Sequence, residues 1–111
     1  MKEPKDCQTL AEVRTEIDRL DQLLIDTIGR RQEYVHEAAR FKRSDNEVHA
    51  HERQRQMIAV RRLWAEKKGV APDLVESLFR TMVDHFVAAE LKIVSERVNQ
   101  STGRQSLTDK T

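Results

Sequence analysis

Apolar residues recur at spacings of three and four from Leu10 through Val13, Ile17, Leu20, Leu24, Ile28, Val35 and Ala38, the period of an amphipathic helix. Thr9 followed by Glu12 has the S/T-x-x-E form of a capping box, in which each side chain satisfies an orphaned backbone donor, so the helix is expected to start there. No proline interrupts it, and with Gly29 as its one weak residue it is predicted to run to about Arg43. At 1.5 Å per residue such a helix spans roughly 50 Å, longer than a small domain is wide, and needs partners along its whole length.

The pattern lapses over Arg43 to Ala50 (RSDNEVHA), where Ser44, Asp45 and Asn46 compete with helix for their own backbone, so a mobile loop is expected beside Lys42, placed to cover whatever Lys42 holds. A second helix over His51 to Lys68 would put Arg53, Met57, Val60 and Trp64 on one face and stop at Gly69. Pro72 suits the first turn of a third, with Asp73 and Glu76 near its positive end. That helix is predicted to reach Val98, burying Val75, Phe79, Met82, Val83, Phe86 and Ile93. Residues 1–8 read as a polar leader, and 99–111, almost without apolar content, as a disordered tail. The expectation is an all-α domain over 9–98 made of three helices, one of them long.

Charged residues interrupt these stripes. Arg31 and Lys42 both fall where the first helix's period asks for an apolar residue, and eleven residues of helix would set them on one face about 16 Å apart. Each either snorkels alone to water or converges with the other on one anion. Arg14, seventeen residues before Arg31, would lie about 25 Å away and roughly a quarter turn round, so it joins that site only from a second, antiparallel copy of the helix. Arg53 either opens the buried stripe of the second helix or sits on its exposed first turn. Glu90 falls on the buried stripe of the third helix, where an acid ordinarily pairs with a nearby cation.

Composition narrows the chemistry. The 111 residues allow one domain, small enough that association would help bury its surface. A formal net charge of +1 gives no global field toward nucleic acid or an anionic membrane, so an anion site must be a local concentration of charge. The single Cys7 and four scattered histidines offer neither an intrachain disulfide nor zinc-ligand spacing, and no metal is expected. With no signal-like leader and no apolar run of membrane-spanning length, the cytoplasm is the expected compartment. Four inward cations, Arg31, Lys42, Arg53 and a partner's Arg14, call for a ligand with more than one negative charge. Arginine forks fit carboxylate or phosphate, and with no glycine-rich phosphate cradle a small dicarboxylate is favoured. No Ser/His/Asp or Cys/His arrangement is present, which leaves reactions run by orientation and fixed charge.

The segment DCQTLAEVRTEIDRLDQLLIDTIGRRQEYVHEAARFK, continued by HERQRQM, RRLWAEKKGVAPDLVESLF and AELK, resembles the all-helical chorismate mutases, and more closely the isochorismate pyruvate lyases of salicylate and siderophore biosynthesis within that family. The resemblance covers about residues 5–95. It implies an intertwined homodimer of three-helix protomers with two sites, each built from both chains, and no cofactor. It further implies that Arg14 and Arg31 bind the substrate carboxylates, that Lys42 donates to the enolpyruvyl ether oxygen, and that Arg53 helps close the loop onto a carboxylate. Glu90 stands where the family often has glutamine, and must carry a proton to donate a second hydrogen bond to the same oxygen. The lyase releases salicylate and pyruvate from isochorismate; the alternative is the mutase, which rearranges chorismate to prephenate. Gln54, where such mutases often have a glutamate for the ring hydroxyl, leaves the alternative open. A reading of another class, a dimeric nucleic-acid- or protein-binding module, rests on the basic run GRRQEYVHEAARFKR, but Glu33, His36 and Glu37 interleave with its cations and no aromatic stacking pattern accompanies it.

Overall fold

The computed structural model describes residues 1–109, with side chains through Gln100, and among these residues all regular structure is helical. The chain divides into two compact units, Met1–Tyr34 and Val35–Thr111.

The first unit holds a 3-10 turn, Pro4–Asp6, and most of α1 (Leu10–Ala39). The capping box forms: Thr9 Oγ1 accepts from the Glu12 amide at 3.1 Å, and the Glu12 carboxylate accepts from the Gln8 amide at 2.6 Å. The Gln8 amide first, and then the Lys2 ammonium 3.0 Å away, hold the Glu12 carboxyl below its ordinary pKa. No residue of 1–34 is buried in the single chain. The apolar row that marks the helix lies open, with Leu10 62% exposed, Leu20 51% and Leu24 59%.

In the second unit α1 ends at Ala39 rather than near Arg43. The amides of Arg40, Phe41 and Lys42 reach back three residues to the carbonyls of Glu37, Ala38 and Ala39, tightening the last turn. Lys42 therefore stands past the helix, and helical register does not fix its direction. The loop expected over 43–50 is also corrected, because a short helix, α2 (Asp45–His49), forms within it. Ser44 Oγ accepts from the Glu47 amide at 3.2 Å while the Glu47 carboxylate accepts from the Arg43 amide, a second capping arrangement. Val48, 2% exposed, anchors α2, which packs on α4. Ala50, in the left-handed region at φ 41°, separates α2 from α3 (His51–Lys67).

The buried face of α3 is turned from the predicted one. Met57, Ile58 and Ala65 are buried with Gln54 and Arg61 half-buried beside them, whereas Val60 and Trp64 are exposed. With so few apolar residues on α3, two overlapping stripes satisfy the helical period, and contact with α4 selects the one through Ile58 and Ala65. Gly69, at φ 69°, ends the helix as expected: its amide reaches Glu66 and that of Val70 reaches Ala65, the paired bonds of a Schellman motif. The chain then turns into α4 (Pro72–Asp109), which runs back along α3. Arg62 ties the turn by donating to Asp73 and Glu76, both at 2.9 Å, and the Arg61 guanidinium lies 5.3 Å from the Phe79 ring centre. The inward stripe of α4 follows the predicted one through Val75, Phe79, Met82, Val83 and Phe86, but it continues through Val94, buried, and not Ile93. Helix α4 passes the predicted end at Val98, with Asn99 and Gln100 helical and exposed; the expectation of a disordered tail otherwise falls on residues whose side chains, or all of whose atoms, lie outside the described ones. Among the described residues no helix is long and apolar enough to cross a membrane.

Candidate active site

Glu90 is the one buried charged side chain in the described core, 4% exposed, placed there because it continues the face of α4 that carries Phe86 and Val94 four residues to either side. A carboxylate so placed needs a counter-charge. Lys42 supplies it: the tightened end of α1 brings its ammonium 2.7 Å from Glu90 Oε2, while the lysine side chain stays 25% exposed. The two polar anomalies of the sequence, 48 residues apart, thus form one pair with a route to solvent on the lysine side.

The chemistry open to this pair follows from its donors. An ammonium has three protons and spends one on Glu90, so Lys42 can hold Glu90 and still donate to a ligand oxygen. The opposite charges cancel, however, and the pair alone does not draw in a dianion.

The other predicted residues divide between the two units. Arg53 is exposed on the first turn of α3, the second of the two readings open to it. Gln54 is half-buried, and its Nε2 donates to the His49 carbonyl across the Ala50 joint, which leaves its Oε1 and the second Nε2 hydrogen to offer a ligand. Both Arg14 and Arg31 belong to the first unit, Arg14 exposed and Arg31 half-buried. A cleft of about 200 Å³ between α3 and α4 includes Gln54 with His51, Ile58, Arg80 and Asp84, but its charges are mixed and it contains neither Lys42 nor Glu90.

Arg97 was not singled out by the sequence. It lies seven residues after Glu90, on the same face of α4, and its guanidinium donates to the carbonyls of Ala39 at 3.4 Å, Arg40 at 3.3 Å and Lys42. The heptad spacing from Glu90 was the available signal. Its target, a set of carbonyls at and just past the end of α1, is visible only once that end is known.

The family model described as chorismate mutase type II matches residues 13–91. The chain is 40% identical over 92 residues to the isochorismate pyruvate lyase of Pseudomonas aeruginosa, covering 83% of this chain and 91% of that protein. It is 33% identical over 93 residues to the T-protein of Haemophilus influenzae and 35% identical over 82 residues to that of Enterobacter agglomerans, but spans only 25% and 22% of those proteins.

Proposed function

Because this chain belongs to the chorismate mutase type II family, we propose that it is an isochorismate pyruvate lyase, working as a cofactor-free homodimer in the cytoplasm. The observation that carries the reading is the Lys42 ammonium held 2.7 Å from a buried Glu90. Similarity along nearly the whole length of a relative named for the lyase favours that reaction over the mutase.

In the proposed reaction the enolpyruvyl arm of isochorismate folds over the ring. A ring hydrogen passes to the methylene carbon as the C–O bond breaks, so the arm leaves as pyruvate and the ring becomes salicylate. Negative charge grows on the ether oxygen during cleavage, and a donor fixed at that point stabilises the transition state more than the ground state. Lys42 is assigned that role. Arg31 and a partner's Arg14 bind the two carboxylates, supplying the positive charge that the neutralised Lys42–Glu90 pair lacks, and Arg53 closes from the first turn of α3. Glu90, in the protonated form that a donor there requires, donates to the same ether oxygen.

Support for the homodimer is the open apolar row of α1, since a 30-residue helix with Leu10, Leu20 and Leu24 in water requires cover. A second antiparallel copy provides it and delivers Arg14. The mutase is the second reading, favoured by one observation: Gln54 Oε1 remains free to accept from a ring hydroxyl. Isochorismate deuterated at the transferred ring position tests the proposed reaction. The label should appear in the methyl group of pyruvate, and unlabelled pyruvate, with the deuterium lost to solvent, would overturn the pericyclic route.

A further inference from the structure

Helix α4 grips the segment after α1 at two points. Glu90 takes the side chain of Lys42, and Arg97, two turns or about 10 Å further along the same face, takes the backbone that carries it. Between them lies Val94, 2% exposed, and against this face Ala39 is fully buried. The need for a second grip follows from the way α1 ends. Its last carbonyls have no partners within the helix and form the negative end of its dipole, so a guanidinium is favoured there. Arg97 spans the carbonyl of Ala39, which also accepts from the Lys42 amide, and those of Arg40 and Lys42 just past the helix, with the two terminal nitrogens of a rigid fork. Lys42 itself lies outside regular structure, and a flexible four-carbon stem sets its ammonium, so its aim depends on where its own backbone is held.

We infer that Arg97 is a positioning residue for Lys42: by clamping the carbonyls of residues 39, 40 and 42 it fixes the backbone from which the lysine reaches both Glu90 and the substrate. Arg97 touches no reacting atom in this account. The inference rests on the assignment of Lys42 as the donor to the ether oxygen, and goes beyond it by naming what holds that donor still. A displacement of the donor by an ångström is enough to cost roughly 10- to 100-fold in rate.

The test is a double-mutant cycle on salicylate formation, with wild type, Arg97→Ala, Lys42→Ala and the double variant, and Arg97→Lys as a conservative control. Arg97→Ala should lower kcat roughly 10- to 100-fold with KM changed less than about threefold, because the carboxylate-binding arginines are untouched. In the Lys42→Ala background the same change should cost almost nothing further, since there is no donor left to aim. Arg97→Lys, with a point charge in place of a fork, should recover only part of the rate. Amide hydrogen exchange over residues 39–42 gives a readout independent of turnover, and should quicken in Arg97→Ala. A wild-type kcat in Arg97→Ala, or an equal loss with and without Lys42, would overturn the inference, the latter outcome marking a general structural role. If wild type itself turned over neither isochorismate nor chorismate, the lyase assignment would fall, and unchanged exchange over 39–42 would separately remove the clamp.

Discussion

Lys42 and Glu90 meet at 2.7 Å across 48 residues of sequence, with the carboxylate buried and the lysine side chain partly exposed. The pair is asymmetric, since Glu90 needs Lys42 to remain charged in the core whereas Lys42 keeps two protons for a ligand.

That asymmetry predicts the effect of losing the lysine. Lys42→Ala should cost about 10²- to 10³-fold in kcat, the usual loss for a fixed donor aimed at developing charge. Far-UV circular dichroism should still show a helical fold, because Phe86, Val94 and Ala65 continue to pack. A rate within a few-fold of wild type would place the chemistry elsewhere.

The role proposed for Glu90 is one that an amide can fill. In the free chain Glu90 accepts from Lys42, and in the proposed complex it donates to the ether oxygen. Glu90→Gln, which carries a donor at the same place, should therefore keep most of the turnover, whereas Glu90→Ala should lower kcat about 10²- to 10³-fold. Equal rates in the two variants would contradict the role.

Shared sites predict complementation. Arg14→Ala and Lys42→Ala chains should each be nearly inactive alone. Co-expressed in equal amounts, they should form mixed dimers with one intact site each, restoring about a quarter of wild-type activity. No recovery, despite mixed dimers detected by mass, would mean that Arg14 acts within its own chain or not at all.

The α3–α4 turn carries a pH dependence in stability. Hydrogen bonds from Arg80 first, and then from Arg62, hold the Glu76 carboxyl below its ordinary value of 4.5. A carboxyl depressed in the folded state contributes stability that is present above the unfolded value and is lost as pH falls through the folded one. Wild type should therefore have a higher Tm than Glu76→Gln at pH 7, with the difference closing below about pH 4.5. An equal difference at pH 3 and pH 7 would show that the contacts of Glu76 do not depend on its charge.

The residues the sequence made legible were those that violate a period. Glu90 stands out because it occupies an apolar slot of α4, and that is enough to predict a pair or a ligand, whereas Lys42 stood out on a period carried past Ala39, where α1 in fact ends. The start of α1 and the stop at Gly69 were legible because capping chemistry is local. The second capping arrangement, Ser44 with Glu47, carries the same signature as Thr9 with Glu12, but it was hidden by the loop-forming character of Ser44, Asp45 and Asn46. The face of α3 was ambiguous because Val60 and Trp64 make as good a stripe as Ile58 and Ala65 until α4 is present. Arg97 had no local signature, since its ligands are the carbonyls of a helix end more than fifty residues away.

The measurement closest to the central claim is kcat/KM for isochorismate and for chorismate, side by side, in wild type and in Lys42→Ala. Salicylate formation should exceed prephenate formation by about a hundredfold or more in wild type, and both should collapse together without the lysine, since each reaction charges the same ether oxygen. Efficient conversion of chorismate alone would make the protein a mutase, and activity that survives the loss of Lys42 would contradict the site.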